Sequence, residues 1–193
     1  MKKLLISLAL FLPLAPSAQA AITNFDLIGT AGSGLLPGNE PGSILGGTGG
    51  EIGAGIFFDN VTNLLTINVG WGSSQGFTDL SSAANNSHLH GPTTSANGAG
   101  FTETAGVLLS LTRSSNLVTG GFFTSAPLSL TATQATQLFD GKFYINLHTV
   151  NNGGGEMRGF LVAAPIPEPA EYAMLLAGLA LVGTIARRRK QMA

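Results

Sequence analysis

The run Tyr144-Ile145-Asn146-Leu147-His148-Thr149 leads through Val150-Asn151-Asn152-Gly153-Gly154-Gly155 into Glu156-Met157-Arg158-Gly159-Phe160-Leu161-Val162. This stretch decides the fold class. From Phe143 onward, Phe143, Ile145 and Leu147 point one way, and Tyr144, Asn146 and His148 point the other. That is the two-residue period of a strand. The Asn- and Gly-rich link between the two runs tolerates the sharp reversal of a turn. The pair therefore reads as an antiparallel hairpin. Glu156 and Arg158 are two residues apart and so are expected to share a face. Across the hairpin, that face brings one of them close to His148.

Working outward, residues 22–28 alternate well enough for a first strand. Residues 29–50 are rich in Gly and Pro, carry few large apolar groups, and are expected to form a long loop. Ile56-Phe57-Phe58 and Leu64–Trp71 read as a second hairpin, with Leu65, Ile67 and Val69 on one face. Short strands are expected at 87–90, 106–111 and 121–125. Thr131–Leu138, rich in capping-type Thr, suits a short helix that Asp140-Gly141 closes. Many short strands separated by polar turns predict an all-β fold, an antiparallel β-sandwich or an immunoglobulin-like barrel with one short helix.

Composition narrows the function. The chain has 193 residues and no cysteine, so the domain must be held by its core and its backbone pairing rather than by disulfides. The body, residues 21–166, has the length of one domain. It carries Arg113, Lys142 and Arg158 against eight carboxylates, a net charge of −5. Nucleic acid is excluded as a partner, because phosphate neutralisation needs clustered cations. There is no C-x-x-C or phosphate-binding loop. No catalytic residue is assigned, and the chain is expected not to be an enzyme.

Two segments stand above this background. One is His88-Leu89-His90-Gly91-Pro92. The other is Tyr144–Thr149 followed by Gly155-Glu156-Met157-Arg158-Gly159. Together they resemble the CHRD (chordin-like) domain, whose usual forms are H-I-H-G-P-A and Y-V-N-V-H-T followed by N-P-G-G-E-I-R-G. Leu89 and Met157 each stand for an Ile, and Gly153 for a Pro. The resemblance covers about residues 22–162. It implies an all-β exported domain with no established enzymatic activity.

All three histidines of the chain, His88, His90 and His148, fall within these motifs. Two histidines at i and i+2 share a strand face, and a third from a neighbouring strand completes three nitrogens, a donor set that suits Zn²⁺ or Cu²⁺. The competing expectation is a buried polar network without a cofactor. There the histidines bond to backbone carbonyls or to Glu156, and a Glu156–Arg158 pair pins the hairpin.

The ends of the chain read as addresses. Met1-Lys2-Lys3, the apolar run 4–14 and Ser17-Ala18-Gln19-Ala20 have the parts of a cleaved secretory signal, residues 1–20. At the other end, Pro167-Glu168-Pro169 precedes an apolar run at 172–186 and the basic tail Arg187-Arg188-Arg189-Lys190. The run has 15 residues, roughly 22 Å of helix against a hydrocarbon core of ~30 Å. It reads as a short transmembrane helix stopped by cations that stay cytoplasmic. The order of parts across 167–193 resembles the PEP-CTERM sorting signal of exopolysaccharide-producing Gram-negative bacteria. That resemblance implies export through the inner membrane, transient anchoring, processing by a membrane exosortase, and a final location at the cell surface or outside. The expected function is a non-catalytic surface or matrix module. The alternatives are a metal-binding protein using His88, His90 and His148, and a carbohydrate-binding module facing extracellular polysaccharide.

Overall fold

Apolar alternation builds the body from many short strands. The computed structural model describes residues 22–42, 44–165, 175–183, 185 and 187. In chain order the strands are β1 Ile22–Gly29, β2 Gly32–Ser33, β3 Gly49–Glu51, β4 Ile56–Asp59, β5 Leu64–Thr66, β6 Asn68–Trp71 and β7 Ala84–His90. They continue with β8 Val107–Ser110, β9 Thr112–Arg113, β10 Gly121–Thr124, β11 Leu128–Ser129, β12 Tyr144–Thr149 and β13 Met157–Ala163. The larger sheet runs β11-β5-β4-β1-β13-β12-β7-β8, with β2 beside β1, and the smaller runs β3-β6-β10-β9. The pairings are antiparallel. The architecture is the expected antiparallel sandwich.

Two segments tie the sheets together by changing from one to the other. Leu64–Trp71, expected as one strand, is broken at the fully buried Ile67. Its first half pairs with β4, and its second half pairs with β3 and β10. Residues 107–113 switch in the same way around Leu111. Such crossings make the corners of a sandwich and close its core. Phe25, Leu27, Phe58, Val69, Phe123 and Leu147 meet there, all at most 2 % exposed. Trp71 joins them, its ring stacked on Phe123 with centroids 6.0 Å apart. Its Nε1 donates to the Leu117 carbonyl at 3.1 Å, which satisfies the one polar atom of a buried indole.

The expected helix is α1, Ala132–Phe139. The Thr131 hydroxyl accepts from the Gln134 backbone N–H, and the Gln134 side chain accepts from the Thr131 N–H. This reciprocal cap satisfies two otherwise orphaned donors. Gly141, at φ +67, ends the helix where a side chain would be strained.

Residues 29–50 are not the featureless loop their composition suggested. They contain β2, a 3₁₀ turn at Pro37–Asn39 and β3, and they bury Leu35, Asn39 and Glu40. Leu36 exchanges backbone hydrogen bonds with Arg158, N–H to carbonyl at 3.2 and 3.1 Å. Asn39 accepts from the Ala31 N–H at 2.7 Å and donates to the Arg158 carbonyl at 2.9 Å. Gly and Pro here set a defined path rather than slack.

A second irregular segment faces it. Asn97, Gly98, Ala99, Gly100 and Phe101 have φ of 50, 49, 49, 79 and 70°, a left-handed turn. Each of its three non-glycine residues costs roughly 1–2 kcal/mol in this conformation. The Asn97 N–H bonds to the Asp140 carbonyl at 2.9 Å, and the Thr102 and Glu103 N–H groups both bond to the Gly98 carbonyl at 3.0 Å. The Phe101 ring packs on Phe160 with centroids 5.5 Å apart.

Beyond the body, residues 175–183 are helical with exposed side chains. No helix among the described residues is long and apolar enough to cross a membrane. The ends of the expected span at 172–186 lie outside the described residues, as does the expected signal segment, 1–20.

The left-handed turn yields the first prediction. A Cβ at Gly98 would press into the Phe160 ring at an already left-handed residue. Gly98→Ala is expected to lower the unfolding free energy by about 2–4 kcal/mol in urea titration, against less than about 1 kcal/mol for Gly154→Ala, where a Cβ meets open space.

Candidate functional site

Register assembles the site. In the larger sheet His88 lies opposite Asn146 and Asn146 opposite Arg158; one rung along, His90, Tyr144 and Phe160 align in the same way. Opposed residues share a face, so β7, β12 and β13 gather these six side chains on the side away from the sandwich core. The opposite side presents Leu89, Ile145, Leu147 and Met157 to the core. Around Arg158, Tyr144, Asn146 and His90 this side is nonetheless buried, with Glu40, Pro41 and Ile44 beside it, whereas His148 is half-buried.

The three histidines converge as expected. One ring nitrogen from each lies within 4.8 Å of the others. His148 Nδ1 meets the Gly153 carbonyl at 2.9 Å, so it must carry the proton and donate. Its Nε2 is then an acceptor for His88 Nδ1, 3.0 Å away. His90 Nδ1 donates to the Ala105 carbonyl at 2.8 Å, and its ring stacks on Tyr144 at 4.7 Å and 3°. Burial, then the neighbouring His148, His90 and Arg113, lowers the His88 pKa to about 4. Burial also lowers that of His148, against its bond to Gly153. Both rings are neutral at pH 7. A cavity of about 280 Å³, lined by Asn85, Asn86, His88, His148 and Gly153, opens beside them.

The two charged motif residues do not behave as a pair. Glu156 precedes β13, and its carboxylate turns away from Arg158 and from the histidines. It accepts from the Gly47 and Ser81 N–H groups at 2.8 and 2.7 Å, from Thr149 Oγ1 at 2.6 Å and from Asn152 Nδ2 at 3.1 Å. Burial raises its pKa, but bonds from Ser81, Thr149 and Gly47 outweigh that, and the group titrates below the usual carboxylate range. The expected Glu156–Arg158 pair and Glu156–His bond are therefore not formed. Strand parity failed because regular pairing begins only at Met157.

Arg158 is 1 % exposed and has no carboxylate in salt-bridge contact among the described residues. Its Nε, Nη1 and Nη2 donate to the carbonyls of Asn39, Glu103 and Phe101 at 2.9, 3.0 and 2.8 Å. The guanidinium lies 4.8 Å from the Tyr144 ring centre and 5.2 Å from that of Phe160. Dipoles and ring faces carry its charge.

Glu40 was missed from sequence. It is a single carboxylate in a Gly- and Pro-rich stretch, without a motif around it. It lies in a cavity of about 380 Å³ that Ile44, His90, Tyr144, Asn146 and Arg158 also line. Its Oε1 is buried and has no hydrogen-bond partner among the described residues. Burial raises its pKa to about 7, against the opposing effects of Arg158 and of an Asn146 hydrogen bond. Of the sorting residues, Pro167, Glu168, Pro169, Arg188 and Arg189 lie outside the described residues, and Arg187 is helical and exposed.

Two comparisons with known families bear on this geometry. The family model described as the CHRD domain matches residues 38–161, and that described as the PEP-CTERM protein-sorting motif matches residues 165–190. No curated protein and no solved structure matches the chain. The sorting motif marks a protein that is exported across the inner membrane, is transiently anchored there for exosortase processing, and then resides at the surface or outside.

Two predictions follow from the charged residues. Arg158→Ala leaves the buried Asn39 carbonyl and the part-buried Phe101 and Glu103 carbonyls without this donor and is expected to cost about 3–5 kcal/mol in urea titration, with amide exchange accelerated at residues 97–103. For Glu40, a folded pKa of about 7 against an ordinary 4.5 means that the fold favours the protonated carboxyl. That stabilisation is complete below pH 4.5 and is lost as pH rises through about 7. Glu40→Gln removes the dependence, and at about pH 8 it should be more stable than the parent by about 2–3 kcal/mol in denaturant titrations across pH.

Proposed function

We propose, from the premise that this chain belongs to the CHRD domain family, that it works as a non-catalytic module of the cell surface or extracellular matrix. The observation that supports this reading is how the charged motif residues are used. Arg158 spends three N–H donors on the backbone of Asn39, Phe101 and Glu103. Glu156 spends its carboxylate on Gly47, Ser81, Thr149 and Asn152. A catalytic acid, base or electrophile must present itself to a reacting atom. These groups hold the covering segments to the sheet instead. The result is a rigid platform whose irregular segments are displayed at fixed positions.

Extracellular polysaccharide is the partner that the setting suggests. The body's net charge of −5 favours a neutral polymer over a polyanion. In this reading the domain adheres to or organises polymer and does not cleave it.

The test uses the chain exported from its host. The purified protein is expected to co-sediment with the host's insoluble polysaccharide and to release no reducing ends on prolonged incubation. Failure to bind, or liberation of sugar, overturns the proposal. Sorting is followed separately. With Pro167, Glu168 and Pro169 replaced by alanine, the chain should be retained in the inner membrane at its unprocessed mass. Unchanged mass and location would count against processing at that motif.

A further inference from the structure

We propose that His88, His90 and His148 form a site for one divalent transition cation, Zn²⁺ or Cu²⁺, bound through His88 Nδ1, His90 Nε2 and His148 Nε2. The hydrogen bonds select these atoms. His148 Nδ1 is committed as a donor to the Gly153 carbonyl, and His90 Nδ1 to that of Ala105. Each bond fixes the tautomer and leaves Nε2 with a lone pair. Backbone carbonyls that orient histidines in this way are the usual outer partners of imidazole ligands.

A separate contact is compatible with a cation at the same place. His90 Nε2 lies 3.1 Å from Asn146 Oδ1. With Nδ1 as the donor to Ala105, Nε2 is an acceptor, and so is the amide oxygen. Turning the amide over puts its nitrogen on His90 Nε2 and its oxygen on the Glu40 carboxyl, an arrangement that needs that carboxyl protonated. Two such acceptors are reconciled either by a proton on His90 Nε2 or by a metal cation beside it, and metal titration separates the two.

The remaining nitrogen balances without a change of charge. His88 Nδ1 holds a proton for His148 Nε2, 3.0 Å away. Metal entry moves that proton to His88 Nε2, leaving three neutral imidazoles. Metal–nitrogen bonds of about 2.0–2.1 Å place tetrahedral ligands roughly 3.4 Å apart, so the trio must contract from its 4.8 Å limit by side-chain rotation. His148 is partly exposed and sits at a bulge between β12 and β7, so it has room to turn. The 280 Å³ cavity beside His88 and His148 supplies both an entry path and a fourth position for water. The chain has no cysteine, so the donor set is imidazole nitrogen, which suits Zn²⁺ and Cu²⁺ alike.

The experiment uses the full chain, purified without an oligohistidine tag, stripped with chelator and titrated separately with ZnSO₄ and CuSO₄ by calorimetry and elemental analysis. About one ion per chain is expected, with Tm rising on loading. His148→Gln is the first variant, because its partial exposure spares the fold, and His90→Gln is the second. Each should weaken binding by about 100-fold or more while the circular dichroism spectrum is kept. Electron paramagnetic resonance of the Cu²⁺-loaded parent needs no variant and should show coupling to three nitrogens. The site is overturned by less than about 0.1 ion per chain, by stoichiometry and affinity unchanged in both variants, or by coupling to one nitrogen or none. Zinc and copper are separated by which ion the exported protein carries when it is first isolated and by which titration is tighter.

Discussion

One buried guanidinium organises the outer side of this sandwich. Arg158 sits in the middle of the larger sheet, beneath the turn at Pro37–Asn39 and the left-handed turn, neither of which is strand. Burying a cation is expensive unless its donors are matched. Here they are matched by carbonyls from both segments at once, at 2.8–3.0 Å. A lysine ammonium could not bridge the same span, because the planar fork addresses separate acceptors in fixed directions. The left-handed turn at 97–101 is intrinsically unfavourable, and it is held by the bonds from Arg158 to Phe101 and Glu103 together with Asn97 N–H on Asp140 and the Phe101 ring on Phe160. Tyr144 and Phe160, which flank the guanidinium, are themselves fixed by the strand register that places Arg158.

The same register carries the histidines. His88 is bound to stand across from Asn146, and His90 across from Tyr144, because β7 and β12 pair without slippage through that region. The segment that Arg158 holds down also lies beside His90, which is 8 % exposed. The Ala105 carbonyl that orients His90 also accepts from Tyr144, and the backbone leading to it follows directly from the pinned turn. The structural role of the arginine and the chemical disposition of the histidines therefore have one cause. Glu156 does comparable work at the far end of the hairpin, where a single carboxylate collects donors from three separate segments.

Much of this was legible along the chain. Alternation at 143–149 placed Tyr144, Asn146 and His148 together, and alternation at 64–71 placed Leu65, Ile67 and Val69 in the core. The cap at Thr131 and the stop at Gly141 followed from residue type. Other features were hidden for identifiable reasons. The break at Ile67 leaves the apolar period intact, so a change of sheet there makes no mark on the pattern. The order in 29–50 comes from Asn39 and Leu36 bonding to residue 158, which lies more than a hundred positions away. Glu156 obeyed no parity because it lies one residue outside the regular strand. Glu40 lacked any motif, and its raised pKa is a property of what surrounds it.

Sequence alone determined the class of fold, the address of the protein and the identity of the residues that could matter, since periodicity, turn chemistry and terminal signals are all local. It also removed thiol chemistry, by leaving out cysteine, and left only three cations in the body, Arg113, Lys142 and Arg158. Only the tertiary structure decided which of these groups meet. Arg158 and Glu156, neighbours on paper, face different sets of partners, while three histidines from two strands far apart in the chain point at one another. Pairing register and the folding-over of irregular segments set those distances, and neither is encoded within the few residues that any local pattern can read.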